Sequence, residues 1–232
     1  MSYKKNAHLN VIIEDVVAMM KRKVGESQQA TLEKFIRKYY SDTSAEDLVD
    51  CETGNLYGAV LAHWNFAHSR TAGSSRVRIY NPEFEEHGWQ STHTVVEIIH
   101  DDMPFLVDSI RMTLNARSLT THLVIHPVIR VRRNAKGKIV DILQHGDEAD
   151  GSQDEAIIRV EVDRQTEKAV LDAISGDVKS VLNDVSLAVE DWQPMCNQLQ
   201  QIIGELKASP PPIGNKEMQQ SMDFLEWIGD DH

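Results

Sequence analysis

The spacing of apolar residues changes twice between residues 93 and 133, and these changes predict consecutive elements. Residues 94–99 form a β-branched run that ends at the polar residues His100, Asp101 and Asp102, as a buried strand does at the edge of a sheet. Apolar residues then recur at helical spacing, at Val107, Ile110 and Leu114. We therefore predict a strand followed by a helix that packs one face on the sheet.

The start of this helix is predicted at Pro104, because a proline in the first turn lacks only an N–H group that would be unpaired there. Asp101 or Asp102 can then cap the other free amide groups and place negative charge at the positive end of the helix dipole. From Thr121 the period becomes two, which predicts a strand through Val131. Residues 134–137 are typical of a hairpin turn into a strand at 138–143.

Helical spacing dominates both ends of the chain. We predict an N-terminal helical segment over residues 1–72 and an α+β domain over 73–208. In that domain a strand at 156–162 is followed by helical spacing that fits either one long helix or two in series, which Pro194 is expected to end. Consecutive prolines predict a linker at 209–214. Residues 215–232 are expected to open a following, truncated domain with an amphipathic helix that ends at Gly229.

Composition and charge narrow the class of protein. The chain has 232 residues, of which 41% are hydrophobic, and can bury one substantial core. Its net charge of −12 opposes broad attraction to nucleic acid or to anionic membranes. No stretch is long and apolar enough to cross a bilayer, and acidic residues interrupt the first apolar run, so we expect a soluble, cytoplasmic protein. Cys51 and Cys196 are too few for a disulfide framework and fit no zinc spacing.

Three segments carry a resemblance to a known family: HDDMPFLVDS at 100–109, IHPV at 125–128 and RVRRNAKGK at 130–138. The chain resembles the N-terminal region of the large-type NAD-dependent glutamate dehydrogenases. The likeness extends from the N-terminal helices to residues 224–227 and so covers nearly the whole chain. The resemblance implies an ACT-type regulatory domain, with the dehydrogenase chemistry and its NAD site far downstream in a much longer enzyme.

The sequence offers little chemistry of its own. It contains no Gly-x-Gly-x-x-Gly, P-loop or Gly-x-Ser-x-Gly motif, so we assign it no catalytic residue and no cofactor-binding residue, and expect NAD in the parent enzyme alone. His122 and His126 share a strand face, which makes a metal site conceivable beside His100. Residues four apart on a strand are separated by roughly 13 Å, so we assign no metal and interpret them as hydrogen-bonded or interface histidines.

His100, Asp101, Asp102, Met103 and Pro104 form the candidate effector site. In ACT-type domains, the resemblance implies, the loop between the first strand and the first helix binds a small amino acid. Helix-start amide groups would hold its carboxylate, and a nearby acid would hold its ammonium group. Simple N-capping by Asp101 or Asp102 explains the same residues without a ligand. Both interpretations stay open.

We predict an α+β fold in which an N-terminal helical segment accompanies an ACT-like, ferredoxin-type antiparallel sheet packed on helices. The strand at 156–162 precedes the second long helix, which departs from a plain βαββαβ order. The predicted function is a non-catalytic regulatory or oligomerisation domain of an NAD-dependent glutamate dehydrogenase. Its expected partners are the catalytic domains of the same polypeptide, further copies in a homo-oligomer and an amino-acid effector. The alternatives are a purely structural assembly module without a ligand and a freestanding metal-dependent enzyme.

Overall fold

The N-terminal part of the chain folds into helices, as its apolar stripes predict. A computed structural model describes residues 2–144, 149 and 151–229, with side chains from residue 7 onward. Its first elements are α1 (Ser2–Lys23), α2 (Glu26–Tyr40), α3 (Ala45–Leu48) and α4 (Thr53–Ala67). Gly25 separates the first two helices, and its extended backbone (φ −65°, ψ 145°) forms the N-cap of α2.

The remainder of the fold is built on one antiparallel sheet, which confirms the α+β class. Its strands are β1 (Arg76–Tyr80), β2 (Thr94–Asp101), β3 (Thr121–Ile125), β4 (Val128–Arg133), β5 (Ile139–Ile142) and β6 (Ser152–Val162). The order across the sheet is β1-β2-β6-β4-β5, and β3 also pairs with β6. The remaining helices are α5 (Phe84–His87), α6 (Leu106–Ala116), α7 (Lys168–Ala208) and α8 (Asn215–Gly229).

Strand β6 is the centre of the sheet. One edge of β6 pairs with the whole of β2, from Thr94 opposite Val162 to Asp101 opposite Glu155. The other edge pairs with β4 through residues 152–156 and with β3 through residues 159–162. Because β2 and β3 are both antiparallel to β6, they run parallel to each other, and α6 connects them as a β-α-β unit with β6 inserted between its strands.

The predicted single strand from Thr121 to Val131 is wrong, because the structure divides it into β3 and β4 at residues 126 and 127. Pro127 lies at the break, where it offers only its carbonyl group, which accepts a hydrogen bond from Ile157 N at 3.1 Å. The alternation still identifies the buried face correctly: Ile125, Ile129 and Val131 are each exposed by 1% or less.

Helix α6 begins at Leu106, so the prediction that it starts at Pro104 with an aspartate cap is wrong. Asp101 is still part of β2, and Phe105 adopts a left-handed conformation (φ 70°) that a right-handed helix cannot include. Neither Asp101 nor Asp102 caps the helix, since Phe105 occupies the N-cap position and makes no side-chain cap hydrogen bond.

Helix α7 continues through Pro194, so the prediction that this proline ends the helix is also wrong. The spacing of apolar residues along α7 fits the alternative prediction of one long helix. Proline removes one N–H donor from a helix, and residues 191–195 are all exposed, so water can bond the carbonyl group that loses its partner. Residues 209–214 form no helix, as the prolines predict, and α8 follows as expected.

The core fills both faces of the sheet. On one face Ile99, Ile157 and other strand residues join a cluster with apolar residues of α1, α2 and α4. Strand residues whose side chains point to the other face of the sheet, such as Ile98, Ile158 and Val160, are fully buried as well. The buried stripes of α6 and of the start of α7 provide the apolar cover for that face, at Ile110, Leu114, Ile174 and Val178.

By its contacts the chain forms two compact units, residues 1–182 and 183–232. The N-terminal helices and the whole sheet therefore belong to the first unit. The domain boundaries drawn from the sequence stay predictions, and the last three residues of the predicted segment 215–232 lie outside the described residues. Among the helices that the structure describes, none combines the length and apolarity needed to cross a membrane.

Candidate functional site

The predicted effector residues lie where β2 ends and the chain turns towards α6. His100 and Asp101 are the last residues of β2 and pair with Ala156 and Glu155 of β6. The backbone N–H of Asp102 donates to the Asp154 carbonyl oxygen at 3.0 Å. The chain then leaves the sheet at Met103 and Pro104. We call residues 100–104 the acidic corner.

Asp101 takes part in a buried ion network. Its Oδ1 accepts a hydrogen bond from Arg70 Nη2 at 2.8 Å, and Arg70 Nη1 donates to Glu155 Oε1 at 2.9 Å. Arg133 Nε also donates to Glu155 Oε1, at 2.7 Å, and the side chains of Arg70 and Glu155 are fully buried. Burial acts to raise the pKa of Glu155, but the hydrogen bond and charge of Arg133 prevail and lower it. Asp101 thus helps to fix the loop at Arg70 to the sheet.

The start of α6 retains features that suit a ligand. Phe105 has a positive φ of 70°, which is strained for a bulky residue, and its side chain is exposed. Asp102 and Pro104 beside it are exposed too. With no side-chain cap recorded on its first turn, α6 presents backbone N–H groups near an exposed carboxylate. Effector binding at the acidic corner stays a prediction.

The two histidines considered as metal ligands have different neighbours. His122 Nε2 lies 2.7 Å from Asp163 Oδ1, and its ring stacks on His93 with centroids 4.1 Å apart. Backbone and side-chain hydrogen bonds from Thr120 and His122 lower the pKa of Asp163 to about 2. Burial lowers the pKa of His126, which follows the end of β3. Among the residues that the structure describes, no three His, Cys, Asp or Glu side chains are grouped to hold a metal ion.

A cavity of about 1130 Å³ lies at the other end of β2 and β6. Its walls come from α3 and the start of α4, from residues 82–93, from the start of β3 and from residues 159–164. The hydrogen bond from Gln90 N to Asn55 Oδ1, 3.0 Å long, fixes two of these segments to each other. We call it the Arg159 cavity, after its most buried charged residue.

Arg159 reaches this cavity because of strand alternation in β6. Residues 155, 157, 159 and 161 point towards the N-terminal helices, and Arg159 is 3% exposed there. Its Nη2 donates to Glu161 Oε1. Burial disfavours the charge of Arg159, but the carboxylate of Glu161 outweighs burial and holds the pKa of Arg159 above its ordinary value. Arg159 is therefore a permanent buried cation.

Other donors in this group lack acceptors. Within the part of the chain that the structure describes, Arg159 Nε, Arg159 Nη1 and Trp89 Nε1 are buried without a hydrogen-bond partner. The guanidinium carbon of Arg159 lies 4.8 Å from the centroid of the Trp89 ring, so these donors are close together. Burial raises the pKa of Tyr39 well above its ordinary value while the charge of Arg159 acts against it, which places this hydroxyl group near the guanidinium as well.

Glu161 connects Arg159 to the rim of the cavity. Its Oε2 accepts a hydrogen bond from Ser91 Oγ at 2.9 Å and lies 3.3 Å from His93 Nδ1. Other acidic side chains line the cavity nearer to solvent, and they are Asp47, Asp50, Glu52, Glu83 and Glu85. The site therefore combines a buried cation with an acidic entrance.

The comparisons with known proteins identify the family. A family model described as "Glutamate dehydrogenase, ACT1 domain" matches residues 35–178, which is more than half of the chain. The chain belongs to the glutamate dehydrogenase ACT1 domain family. It is 33% identical over 222 residues to the NAD-specific glutamate dehydrogenase of Halomonas elongata, an alignment that covers 95% of this chain and 14% of that protein. It is also 35% identical over 204 residues to the NAD-specific glutamate dehydrogenase of Pseudomonas aeruginosa, with 88% of this chain and 12% of that protein covered.

These figures set the scale of the ACT1 domain within its relatives. The chain spans about one-eighth to one-seventh of the length of the curated relatives that it matches. The matched range runs from the last turns of α2 to the first part of α7, so it includes α4, α6 and strands β1 to β6 but not α1. It also includes both the acidic corner and the Arg159 cavity.

Reasoning from sequence missed the principal residues of the Arg159 cavity in this ACT1 domain. Arg159 and Glu161 stand at alternate positions in the otherwise apolar run 156–162 of β6, and charged residues in a buried strand require partners. The sequence alone could therefore have indicated that Arg159 and Glu161 have buried partners. Trp89 is 1% exposed and belongs to the core. Its approach to Arg159 depends on the tertiary fold, because these residues are 70 positions apart.

Proposed function

We propose that this ACT1 domain is a non-catalytic regulatory and assembly domain of an NAD-dependent glutamate dehydrogenase. The whole enzyme would convert L-glutamate, NAD and water to 2-oxoglutarate, ammonium and NADH in catalytic domains outside residues 1–232. The observation that carries this proposal is the ACT1 match over residues 35–178, together with relatives that are about seven times as long as this chain and are named as NAD-specific glutamate dehydrogenases.

Regulation would act through an amino-acid effector at the acidic corner. The exposed carboxylate of Asp102 can hold an ammonium group, and the N–H groups at the start of α6 can hold a carboxylate. The corner continues β2, whose last residue Asp101 pairs with Glu155 of the central strand β6, so a ligand there would lie next to one end of that strand pair. Asp101 would act indirectly, because its carboxylate already binds Arg70.

We propose that the enzyme works in the cytoplasm. The test uses a purified full-length protein that contains this chain. We expect NADH formation from glutamate and NAD, with a rate or KM that changes when single amino acids are added. Asp102→Ala should remove this response without removing basal activity. Asp108→Ala, an exposed carboxylate two residues inside α6, is the matched control and should keep the response.

Three results would decide against parts of this proposal. A full-length protein that forms no NADH from glutamate contradicts the enzymatic assignment. NADH formation by residues 1–232 alone contradicts the non-catalytic role. Activity that no amino acid changes, together with concentration-dependent association of the purified chain, supports a purely structural assembly module instead.

A further inference from the structure

A heptad repeat runs through most of α7. From Leu171 to Leu206, apolar residues follow one another at alternating steps of three and four positions without a break. This spacing is the signature of a helix that packs along another helix in a coiled coil. We call this line of residues the heptad seam. Pro194 stands outside it, so the proline does not interrupt the seam.

The heptad seam is buried near its start and exposed further along. Ile174 and Val178 are fully buried. By contrast, Trp192, Met195 and Ile202 are 57%, 63% and 41% exposed. Helix α8 leaves these three side chains open, although its last residues approach α7. An apolar stripe that faces water at this spacing lacks the helix for which it is suited.

A row of acidic residues runs beside the heptad seam, one position before every second seam residue. Its members, which we call the acidic row, are Asp177, Asp184, Asp191, Gln198 and Glu205. Charges that flank the seam of a coiled coil decide which helix it accepts. The first member, Asp177, already forms an ion pair with Arg117 at the end of α6. The acidic row therefore favours a partner helix with basic residues beside its apolar stripe.

A second copy of α7 does not supply those basic residues. In an antiparallel pair of copies the two acidic rows would face each other, and like charges at such positions are destabilising. In a parallel pair each acidic row would face the row on the other side of the seam. That row contains Val189, Cys196 and Ile203, which carry no positive charge. The charges therefore select a different helix.

The small size of the exposed surface indicates a partner that is tethered to the chain. Large side chains bury roughly 150–250 Å² when fully covered, so three that are about half exposed offer roughly 250–350 Å². A standard interface buries about 800 Å² on each partner. A helix in the same polypeptide has an effective concentration of roughly 1 mM, so a smaller surface suffices. The alignments leave most of both relatives' length outside the matched region, since they cover 14% and 12% of it.

We propose that residues 188–206 of α7 bind an amphipathic helix of the same polypeptide, from outside residues 1–232. This helix has apolar residues at heptad spacing, which cover Trp192, Met195 and Ile202. Basic residues beside them pair with Asp191 and Glu205. The inference rests on the proposed function, because it takes the partner from a longer glutamate dehydrogenase, and it names a surface through which this domain is joined to the rest of that enzyme.

Oxidation of Met195 by dilute hydrogen peroxide, followed by mass spectrometry, measures whether the seam is covered. The purified chain of residues 1–232 gives the rate for an open seam. In the full-length protein, Met195 should be oxidised at least roughly tenfold more slowly, because oxidation of methionine follows its exposure. This measurement does not require catalysis. A full-length protein that forms no NADH therefore contradicts the proposed function, while protection of Met195 is still decided separately.

Substitutions in the full-length protein test the charge of the partner helix. Asp191→Asn combined with Glu205→Gln removes two charges beside the seam and should speed the oxidation of Met195 by roughly threefold or more. The matched control is Glu190→Gln combined with Asp223→Asn, which removes two exposed charges from α7 and α8 outside the acidic row. The control should leave the rate of oxidation unchanged.

Carbodiimide cross-linking of the full-length protein identifies the source of the partner helix, because it joins a carboxylate to a lysine amine in direct contact. We expect Asp191 or Glu205 to be linked to lysines outside residues 1–232. Three outcomes overturn the proposal. They are equally fast oxidation of Met195 in the full-length protein and in the isolated chain, no effect of the acidic-row substitutions, and links from the acidic row to residues 1–232 of another copy when isotope-labelled and unlabelled proteins are mixed.

Discussion

His63 is a fully buried histidine in α4 that makes the stability of the chain depend on pH. Its Nδ1 lies 3.0 Å from the Tyr39 hydroxyl oxygen, and burial lowers its pKa to about 4. The helical stripe that contains Leu56 and Val60 passes through residue 63, because those positions are seven and three residues earlier. This spacing is consistent with the burial of His63, whereas the pKa of His63 depends on the residues packed around it.

We predict that the free energy of unfolding decreases as the pH falls from about 6.5 to about 4. The native state keeps His63 neutral in this range, while the unfolded chain binds a proton below its ordinary pKa of 6.5, so acid favours unfolding. Between pH 7 and pH 4.5 the contribution of His63 is about 2–3 kcal/mol. Denaturant unfolding at several pH values should show this slope reduced in His63→Gln.

The control for this titration is His8→Gln, because His8 is exposed in α1. Carboxylates that titrate below pH 5 affect all variants alike, so the comparison of slopes isolates His63. Equal slopes in the original chain and in His63→Gln would show that the buried ring does not control acid stability.

At the scale of elements, α4 packs closely against the segment after α5 at Gly58. A Cβ atom added to Gly58 would lie 2.3 Å from Trp89 Cβ and 2.8 Å from Trp89 Cγ, which is far below van der Waals contact. Trp89 in turn stacks on Arg159. The close approach of a helix backbone to this indole ring therefore positions one wall of the Arg159 cavity.

Gly58→Ala should destabilise the chain by about 1–3 kcal/mol, because the helix must move away from Trp89. Gly54→Ala is a matched control in the first turn of the same helix, where an added Cβ meets nothing within 4 Å. Alanine has the higher helix propensity, so Gly54→Ala should be neutral or stabilising by up to about 1 kcal/mol. Thermal or denaturant unfolding measures both, and similar effects of the two substitutions would contradict this packing.

Element types were largely predictable from the sequence, and element ends were not. Apolar spacing identified the N-terminal helices, β2, α6 and α8, since periodicity reflects which face is buried. Pro104 and Pro194 misled because a proline is compatible with more than one backbone arrangement and does not by itself decide where a helix begins or ends. The left-handed backbone of Phe105 delays α6, and the exposure of α7 around Pro194 lets water bond the freed carbonyl group.

At the scale of the whole molecule, the central position of β6 determines which strands pair and brings together the residues of the Arg159 cavity. Local alternation predicted that β6 is a strand, but the residues of β2 and β3 that pair with it lie 34–68 positions earlier, and no local signal specifies that pairing. The residues around Arg159 are even further apart in sequence, since Trp89 lies 70 positions earlier and Tyr39 of α2 lies 120 positions earlier. The acidic corner could be proposed because its residues are consecutive, whereas the Arg159 cavity exists only after the sheet has formed.

The central position of β6 also predicts how local stability is distributed. Hydrogen exchange through local opening is slow where backbone amides are paired on both sides and covered by apolar side chains. Residues 155–162 of β6 are all buried, with strands on both edges. By contrast, Val185, Ile203 and Met222 are the buried apolar residues among those described in the unit from 183 to 232. Its amide groups are therefore expected to open without unfolding of the sheet.

A comparison of α2 with α8 tests this distribution between two elements of the same type and length, because both are helices of 15 residues. Helix α2 buries Leu32, Phe35, Ile36, Tyr39 and Tyr40, whereas Met222 is the buried residue recorded for α8. Each additional buried side chain stabilises by about 1.5–3 kcal/mol, so amide exchange in α2 should be slower than in α8 by roughly a hundredfold or more. Native-state exchange followed by NMR or mass spectrometry measures this ratio. Equal protection in both helices would contradict this distribution of local stability.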